Sequence, residues 1–263
     1  MSFMNAGPLP FDVLLAGLVP LIQEAGAVVM RVYATDFQVQ IKDDESPVTL
    51  ADQCAEKVIV EGLHRLAPDI PVVGEEAASA GHIPDVSHRF WLVDPIDGTK
   101  EFISRNGEFT VNIALVDHGM PVLGMVLAPA LGRLYAGVPG QGAWVEDRQG
   151  RRQIRVRPVP DDGLTVVGSR HHGDESAVRS FLAGRRIAAN KTVGSSLKLC
   201  LVAAGEADVY ARFGRTMEWD IAAGDAILRA AGGAACTLDG ALLTYGKPAF
   251  ENPDFAAWGA APA

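Results

Sequence analysis

WLVDPIDGTKEFISRNGEFTVN, residues 91–112, sets a short apolar strand, an acidic turn and a second strand in close succession. Phe90 to Val93 reads as a buried strand ending in acid, and Asp94-Pro95-Ile96-Asp97-Gly98-Thr99 has turn chemistry of its own. Phe109, Val111, Ile113 and Leu115 then alternate with polar or small residues, the strand period of two. Asp117-His118-Gly119 follows as a turn. Toward the C-terminus, strands are expected at Val122 to Leu127, Arg133 to Val138 and Gln153 to Arg157, an antiparallel meander. Toward the N-terminus, Leu14, Leu18, Leu21, Ala25 and Val28 recur at helix spacing, with Pro20 kinking that helix or delaying its start. A second helix is expected from Thr49 to Leu66 and a strand at Pro71 to Val73.

The pattern changes after Pro158 and Pro160. A strand at Leu164 to Val167, a helix from about Asp174, a helix at Ser195 to Ala204, a strand at Asp208 to Arg212 and a helix at Trp219 to Ala231 alternate in the α/β manner. A soft boundary near residues 158 to 163 divides the chain. Residues 1–158 read as α+β and residues 159–263 as α/β, both layered.

Composition narrows the function classes. With 263 residues, 48% hydrophobic and 21% charged, the chain is an ordinary globular one with material for a sizeable core. Net charge is -9 and no Lys/Arg run exceeds two residues, so a nucleic-acid polymer is excluded as a partner. Cys54, Cys200 and Cys236 are far apart and form no CxxC pair, against a disulfide framework or a zinc site and in keeping with a reducing cytoplasm. The apolar stretch Val13 to Ile22 is broken by Pro20 and too short to span a bilayer, and no basic segment precedes it. Weak attachment to the inner face of a membrane is compatible with this composition but not demanded by it.

Five acidic places stand at strand ends or helix starts: Asp52, Glu75-Glu76, Asp94, Asp97 and Asp220. Each has a structural reading. Thr49 to Asp52 fits a capping box, Asp94 and Asp97 fit turn chemistry, Asp220 complements a helix dipole, and Glu75-Glu76 suit a solvated loop. As a set they form one chemistry. Carboxylate oxygens are hard ligands suited to Mg²⁺, which keeps coordination places for a phosphate substrate. Asp94 and Asp97, three apart on a Pro-stiffened turn, can face one ion together with the Ile96 carbonyl. Two unpaired carboxylates about 4 Å apart repel by about 4 kcal/mol at an effective dielectric near 20, so such a cluster calls for cations. The amides of Gly98 and Thr99 can receive a phosphate at a helix start. The Thr99 hydroxyl can orient a water, with Asp52 as proton acceptor.

The ordered set resembles the Mg²⁺-dependent, lithium-sensitive phosphatase superfamily that includes inositol monophosphatases and 3'(2'),5'-bisphosphate nucleotidases. Its pattern is an Asp, then Glu-Glu, then Asp-Pro-x-Asp-Gly/Ser-Thr, then Trp-Asp followed after eleven residues by Gly-Gly. Here these are Asp52, Glu75-Glu76, Asp94 to Thr99, and Trp219-Asp220 with Gly232-Gly233. The resemblance implies a layered αβαβα sandwich. It implies two Mg²⁺ ions carried by Glu75, Asp94, Asp97, Asp220 and the Ile96 carbonyl. Asp52 would complete a weaker third position or act through Thr99 on the attacking water.

Within that superfamily the chain looks like the bisphosphate nucleotidases of the CysQ type. Lys100-Glu101-Phe102 stands where inositol monophosphatases typically have Thr-Asn-Phe, and Arg212 where they usually have a Glu that binds sugar hydroxyls. Arg212 and Lys198 suit a second phosphate, and Ser195 and Ser196 would cap a helix whose amides face an anion. Ser169-Arg170-His171 departs from the family's Ser-Arg-Ser-His, and the roles of Lys42, Lys100 and His171 stay open. His64, His82, His88, His118 and His172 read as surface or turn residues. The resemblance implies hydrolysis of adenosine 3',5'-bisphosphate to AMP and phosphate, clearing a by-product of sulfate activation; members of the family are often dimers, so a homodimer is compatible with it. An inositol monophosphatase or sugar bisphosphatase of the same fold, and a non-catalytic nucleotide-binding regulator, are the alternatives.

Overall fold

A computed structural model describes residues 9–41, 47–170 and 174–260. Lys42, His171 and His172 lie outside the described residues. In chain order the elements are α1 (Phe11–Tyr33), β1 (Val39–Ile41), β2 (Pro47–Thr49), α2 (Leu50–Leu66), β3 (Val72–Gly74), α3 (Glu75–Ser79), β4 (Arg89–Asp97) and α4 (Thr99–Ile103). There follow β5 (Thr110–Asp117), β6 (Met120–Ala128), β7 (Arg133–Val138), β8 (Gly142–Asp147) and β9 (Gly150–Ile154). The remainder is β10 (Leu164–Gly168), α5 (Glu175–Phe181), β11 (Ile187–Thr192), α6 (Leu197–Ala203), β12 (Val209–Arg212), α7 (Glu218–Ala230), β13 (Ala234–Thr237) and β14 (Phe255–Trp258).

Strands β3 to β9 form a seven-stranded sheet in sequence order, with β3 parallel to β4 and the rest antiparallel. Alternation along each strand sorts its side chains between two layers. Trp91, Val93, Val111, Ile113 and Met125 pack with Leu18 and Ile22 of α1 and Ile59 and Leu63 of α2. Phe90, Leu92, Ala114, Val116 and Val126 point the other way, onto Leu199 and Val202 of α6 and Ile221 and Ile227 of α7. Behind α6 and α7 lies the second sheet, five strands in the order β11-β10-β12-β14-β13, whose Tyr210, Phe255 and Ala257 complete the same core. Its far face, with Val166, Val209 and Trp258, is covered by Val178, Phe181 and the neighbouring Leu182 of the α5 segment. The layers therefore run helix, sheet, helix, sheet, helix, as the resemblance implies.

Helix α7 carries Asp220, and its seat on the large sheet depends on two glycines. A Cβ on Gly124 would sit 2.2 Å from the Ala223 carbonyl oxygen, and one on Gly137 would sit 2.7 Å from the Ile227 Cα. Both obstacles are backbone, so no rotamer relieves them. Gly124→Val is expected to destabilise the protein by roughly 3 kcal/mol, the upper end for overpacking. A drop in urea midpoint checks this, and an unchanged midpoint would contradict the close seating of α7.

Several expectations need correction. Pro20 neither delays nor ends α1, which runs from Phe11 to Tyr33. Pro20 and Ala16, whose carbonyl loses its helical donor, are both exposed, so water can take that acceptor. The helix is long and apolar enough to cross a membrane, but Leu14, Leu18, Leu21, Ile22, Ala25, Val28 and Val29 are buried against the protein's own core. The last meander strand is β9 at Gly150–Ile154 rather than Gln153 to Arg157, and β8 precedes it unforeseen. Strands β11, β13 and β14 were also unforeseen. Cys54, Cys200 and Cys236 are all free thiols.

Candidate active site

Because β3 and β4 run parallel, with Gly74 paired to Val93, their C-terminal ends lie side by side and place Glu75 against Asp94. In sequence Asp94 and Asp97 are an odd number apart, which on a regular strand sends side chains to opposite faces. A bulge resolves this: Asp94 pairs with Asn112 and Asp97 with Thr110, so three steps on β4 match two on β5. Pro95, lacking an N–H, sits within the bulge, where no ladder donor is needed. Asp94 and Asp97 consequently line one cavity of about 690 Å³ with Glu75, Thr99 and, from the start of α7, Asp220. Gly98 (φ 90°) supplies the left-handed turn into α4.

The electrostatics of this cluster are unfavourable by themselves. Burial, then the charges of Glu75, Asp97 and Asp220, hold the Asp94 carboxyl well above the usual carboxylate range, and it shares a hydrogen bond with Glu75. Asp220 is raised in the same way by burial, Asp97 and Glu75. Asp97 is pushed up to about 6 by burial, although the Lys198 charge opposes the shift. Asp94, 1% exposed, has an Oδ1 with no hydrogen-bond partner among the described residues. A buried acceptor without a donor is costly, and a cation is the partner that satisfies it. The donor set is entirely hard oxygen, with the Ile96 carbonyl at the same cavity, so it fits a divalent cation of the Mg²⁺ kind.

Around this centre the other anticipated residues divide. Thr99 opens α4, lines the cavity and donates its hydroxyl to the Ile96 carbonyl at 3.3 Å. Asp52 does close a capping box: its Oδ2 accepts from the Thr49 amide and hydroxyl, both at 2.8 Å. It is not among the cavity-lining residues, although β2, which ends at Thr49, packs on α4. Ser195 and Ser196 do line the cavity. Ser196, however, does not cap α6 with its side chain; its hydroxyl donates to Asn112 Oδ1 at 2.8 Å and meets the Thr110 hydroxyl at 2.8 Å. This chain of hydroxyls anchors the Ser196 amide that hydrogen-bonds Asp97.

Lys198 is 5% exposed, not a surface helix residue. Its ammonium donates to the Ser195 carbonyl at 2.6 Å and reaches the Val193 carbonyl at 3.4 Å. Burial lowers its pKa, while Asp97 and Glu101 act to raise it. It therefore forms part of the cavity floor, a counter-charge to the carboxylates that also fixes the Ser195–Ser196 turn. Arg212 also lines the cavity, donating through Nε and Nη2 to the carbonyls of Gly214 (3.3 Å) and Arg215 (2.8 Å). Those bonds leave its Nη1 edge available.

Sequence reasoning missed Arg215 and Tyr210, both of which line the cavity, and Glu101, a buried acid beside Gly98 and Gly194. A second arginine three residues after Arg212 was the available signal for Arg215. It also missed Glu218, which is fully buried and accepts from the Gly246 and Lys247 amides, holding the segment that leads to Phe250 in the cavity wall.

Comparisons with known proteins point to one family. A family model described as the inositol monophosphatase family matches residues 12–259. The chain is 46% identical over 238 residues to the 3'(2'),5'-bisphosphate nucleotidase CysQ of Escherichia coli strain K12, covering 89% of this chain and 95% of that protein. Among solved structures, CysQ from Bacteroides thetaiotaomicron aligns with a TM-score of 0.82 at 34% identity, over 97% of this chain and 100% of that chain. An inositol monophosphatase of Thermotoga maritima aligns with a TM-score of 0.78 at 27% identity, over 94% and 92%.

Proposed function

The chain belongs to the inositol monophosphatase family, and on that footing we propose that it hydrolyses the 3'-phosphate of adenosine 3',5'-bisphosphate to AMP and phosphate. One observation carries the reading: four carboxylates and a peptide carbonyl converge at one part of the cavity while Arg212 and Arg215 stand on its wall. The first group suits the scissile phosphate through cations, the second an anionic group elsewhere on the same substrate. The 46% identity to a protein named as a bisphosphate nucleotidase supports this choice over the inositol monophosphatase at 27%.

Glu75, Asp94, Asp97, Asp220 and the Ile96 carbonyl would hold two Mg²⁺ ions, with a weaker third place available. When bound, such ions neutralise phosphate oxygens and lower the pKa of water. The protein's own groups supply the rest. The Thr99 hydroxyl, already donating to Ile96, accepts from the attacking water and aligns it opposite the 3'-oxygen. Asp52 holds the β2–α2 corner against α4 and so positions Thr99. The Gly98 and Thr99 backbone, with the Ser195–Ser196 turn, flanks the scissile phosphate. Water oxygen bonds to phosphorus as the P–O3' bond breaks; the attacking water gives its proton to solvent, and the ribose oxygen takes one from a solvent water, so that AMP leaves with a free 3'-hydroxyl. Lys198 steadies the carboxylates from below, and Arg212 takes the 5'-phosphate. Three free thiols accord with a reducing, cytoplasmic setting.

Arg212→Gln tests the assignment. Losing a charge-assisted contact of about 1.5–3 kcal/mol should lower kcat/KM for adenosine 3',5'-bisphosphate by roughly 10- to 150-fold. Hydrolysis of 3'-AMP, which has no 5'-phosphate, should change less than threefold. Equal losses on both substrates would show that Arg212 only supports its own loop.

A further inference from the structure

A second cluster of ligand-type side chains lies at the other end of the β4–β5 ladder, where Arg89 pairs with Asp117. It is five strand residues, about 17 Å, from Asp94. The His118 amide donates to the His88 carbonyl at 2.7 Å, which brings the two histidines together across the strand ends. Their rings stack with centroids 4.5 Å apart, tilted by 33°. The His118 Nδ1 lies 2.7 Å from Asp117 Oδ1, while Arg89 approaches the other carboxylate oxygen, Oδ2, at 3.9 Å. One donor atom from each of His88, Asp117 and His118 fits within 4.8 Å of the others.

We propose that His88, Asp117 and His118 form a surface site for a late first-row divalent cation, Zn²⁺ above all, separate from the carboxylate centre. The donor chemistry decides between the two sites. Imidazole nitrogen suits Zn²⁺, Ni²⁺ and Cu²⁺, whereas all-oxygen sites suit Mg²⁺. Two imidazoles and one carboxylate are three ligands of a tetrahedral zinc site, with water as the fourth. Zn–N and Zn–O bonds of about 2.0–2.2 Å draw donors to within about 3.4 Å of one another. Both histidine side chains are on the exposed surface, so modest rotamer changes close the remaining gap. The Arg89 guanidinium, 3.9 Å from Oδ2, adds a charge contact behind the carboxylate while Oδ1 meets the His118 imidazole. The same turn is tied to the rest of the protein by the Tyr245 amide, which donates to the Gly119 carbonyl at 3.0 Å. A cation here would clamp the N-terminal end of β4 to the β5–β6 turn.

The test is calorimetric titration of the full chain with Zn²⁺ in excess Mg²⁺, using wild type, His88→Ala, His118→Asn and Asp94→Asn. Asparagine is chosen at position 118 because that residue has φ +48°, which Asn tolerates and most residues do not. Wild type and Asp94→Asn should bind one Zn²⁺ with the same affinity. His88→Ala and His118→Asn should bind it at least tenfold more weakly, yet release phosphate from adenosine 3',5'-bisphosphate in Mg²⁺ at the wild-type rate. In a parallel melt, Zn²⁺ should raise Tm for wild type and not for either histidine variant. Zn²⁺ binding that survives both histidine changes, or that disappears in Asp94→Asn alone, would overturn the proposal.

Discussion

Asp94→Asn is expected to lower turnover on the order of a thousandfold while leaving the fold intact. The substitution keeps the side-chain volume but removes the charge of a carboxylate that is 1% exposed and central to the cluster. Cations at such a site contribute several kcal/mol to transition-state stabilisation, and each 1.36 kcal/mol is a factor of ten in rate. The effect must appear in kcat, measured at saturating Mg²⁺, rather than in substrate binding alone. The metal-free variant should also melt higher than metal-free wild type, because a buried carboxylate crowded by the charges of Glu75, Asp97 and Asp220 is gone. Turnover within tenfold of wild type would remove the cation chemistry from the account.

The second large effect links metal, pH and stability. The Asp97 carboxyl is pushed up to about 6 in the folded protein by burial, above the 3.8 of a free aspartate. A carboxyl with a raised folded pKa binds more protons folded than unfolded between those values, so its contribution falls as pH rises. Stability is therefore fully retained below about pH 4 for this group, lost progressively up to about pH 6, and absent above. Two pKa units correspond to at most about 3 kcal/mol. Asp94 and Asp220 are raised by the same causes and act with the same sign. Asp208 acts oppositely, its pKa lowered by Arg157 against the cost of its burial, but that contribution is lost only at acid pH below the range compared. In EDTA the protein should melt several degrees higher at pH 5.5 than at pH 8. Saturating Mg²⁺ should erase the difference by raising Tm chiefly at pH 8. Equal melting temperatures in EDTA at both pH values would contradict the charge crowding described for the cluster.

The carboxylates were legible because their chemistry is written in residue type and position: acid at the end of an apolar strand or in the first turn of a helix. The capping box at Thr49 and Asp52 was legible for the same reason. The bulge in β4 was not, because pairing three residues against two depends on β5, which is remote in sequence. Strand β11, IAANKT, is exposed throughout and shows no alternation, while β13 and β14 are rich in alanine, so neither carries a period-two signal. The layer order came from the family resemblance, not from periodicity. Lys198 was legible as a cation of the site but its burial was not, because lysine is seldom buried; the carbonyls of Ser195 and Val193 and the nearby acids make that position tolerable. Ser196 misled because its hydroxyl found Asn112 in another strand instead of the helix it precedes.

The central claim is that this cavity takes a doubly phosphorylated nucleotide and cleaves it with divalent cations. Its most direct test is phosphate release in Mg²⁺ from adenosine 3',5'-bisphosphate and inositol 1-phosphate side by side, each with and without lithium. The account predicts a kcat/KM at least a hundredfold higher for the nucleotide, dependence on Mg²⁺, and inhibition by lithium. Comparable or better hydrolysis of inositol 1-phosphate would leave the carboxylate centre standing and contradict the assignment of Arg212 to a second phosphate.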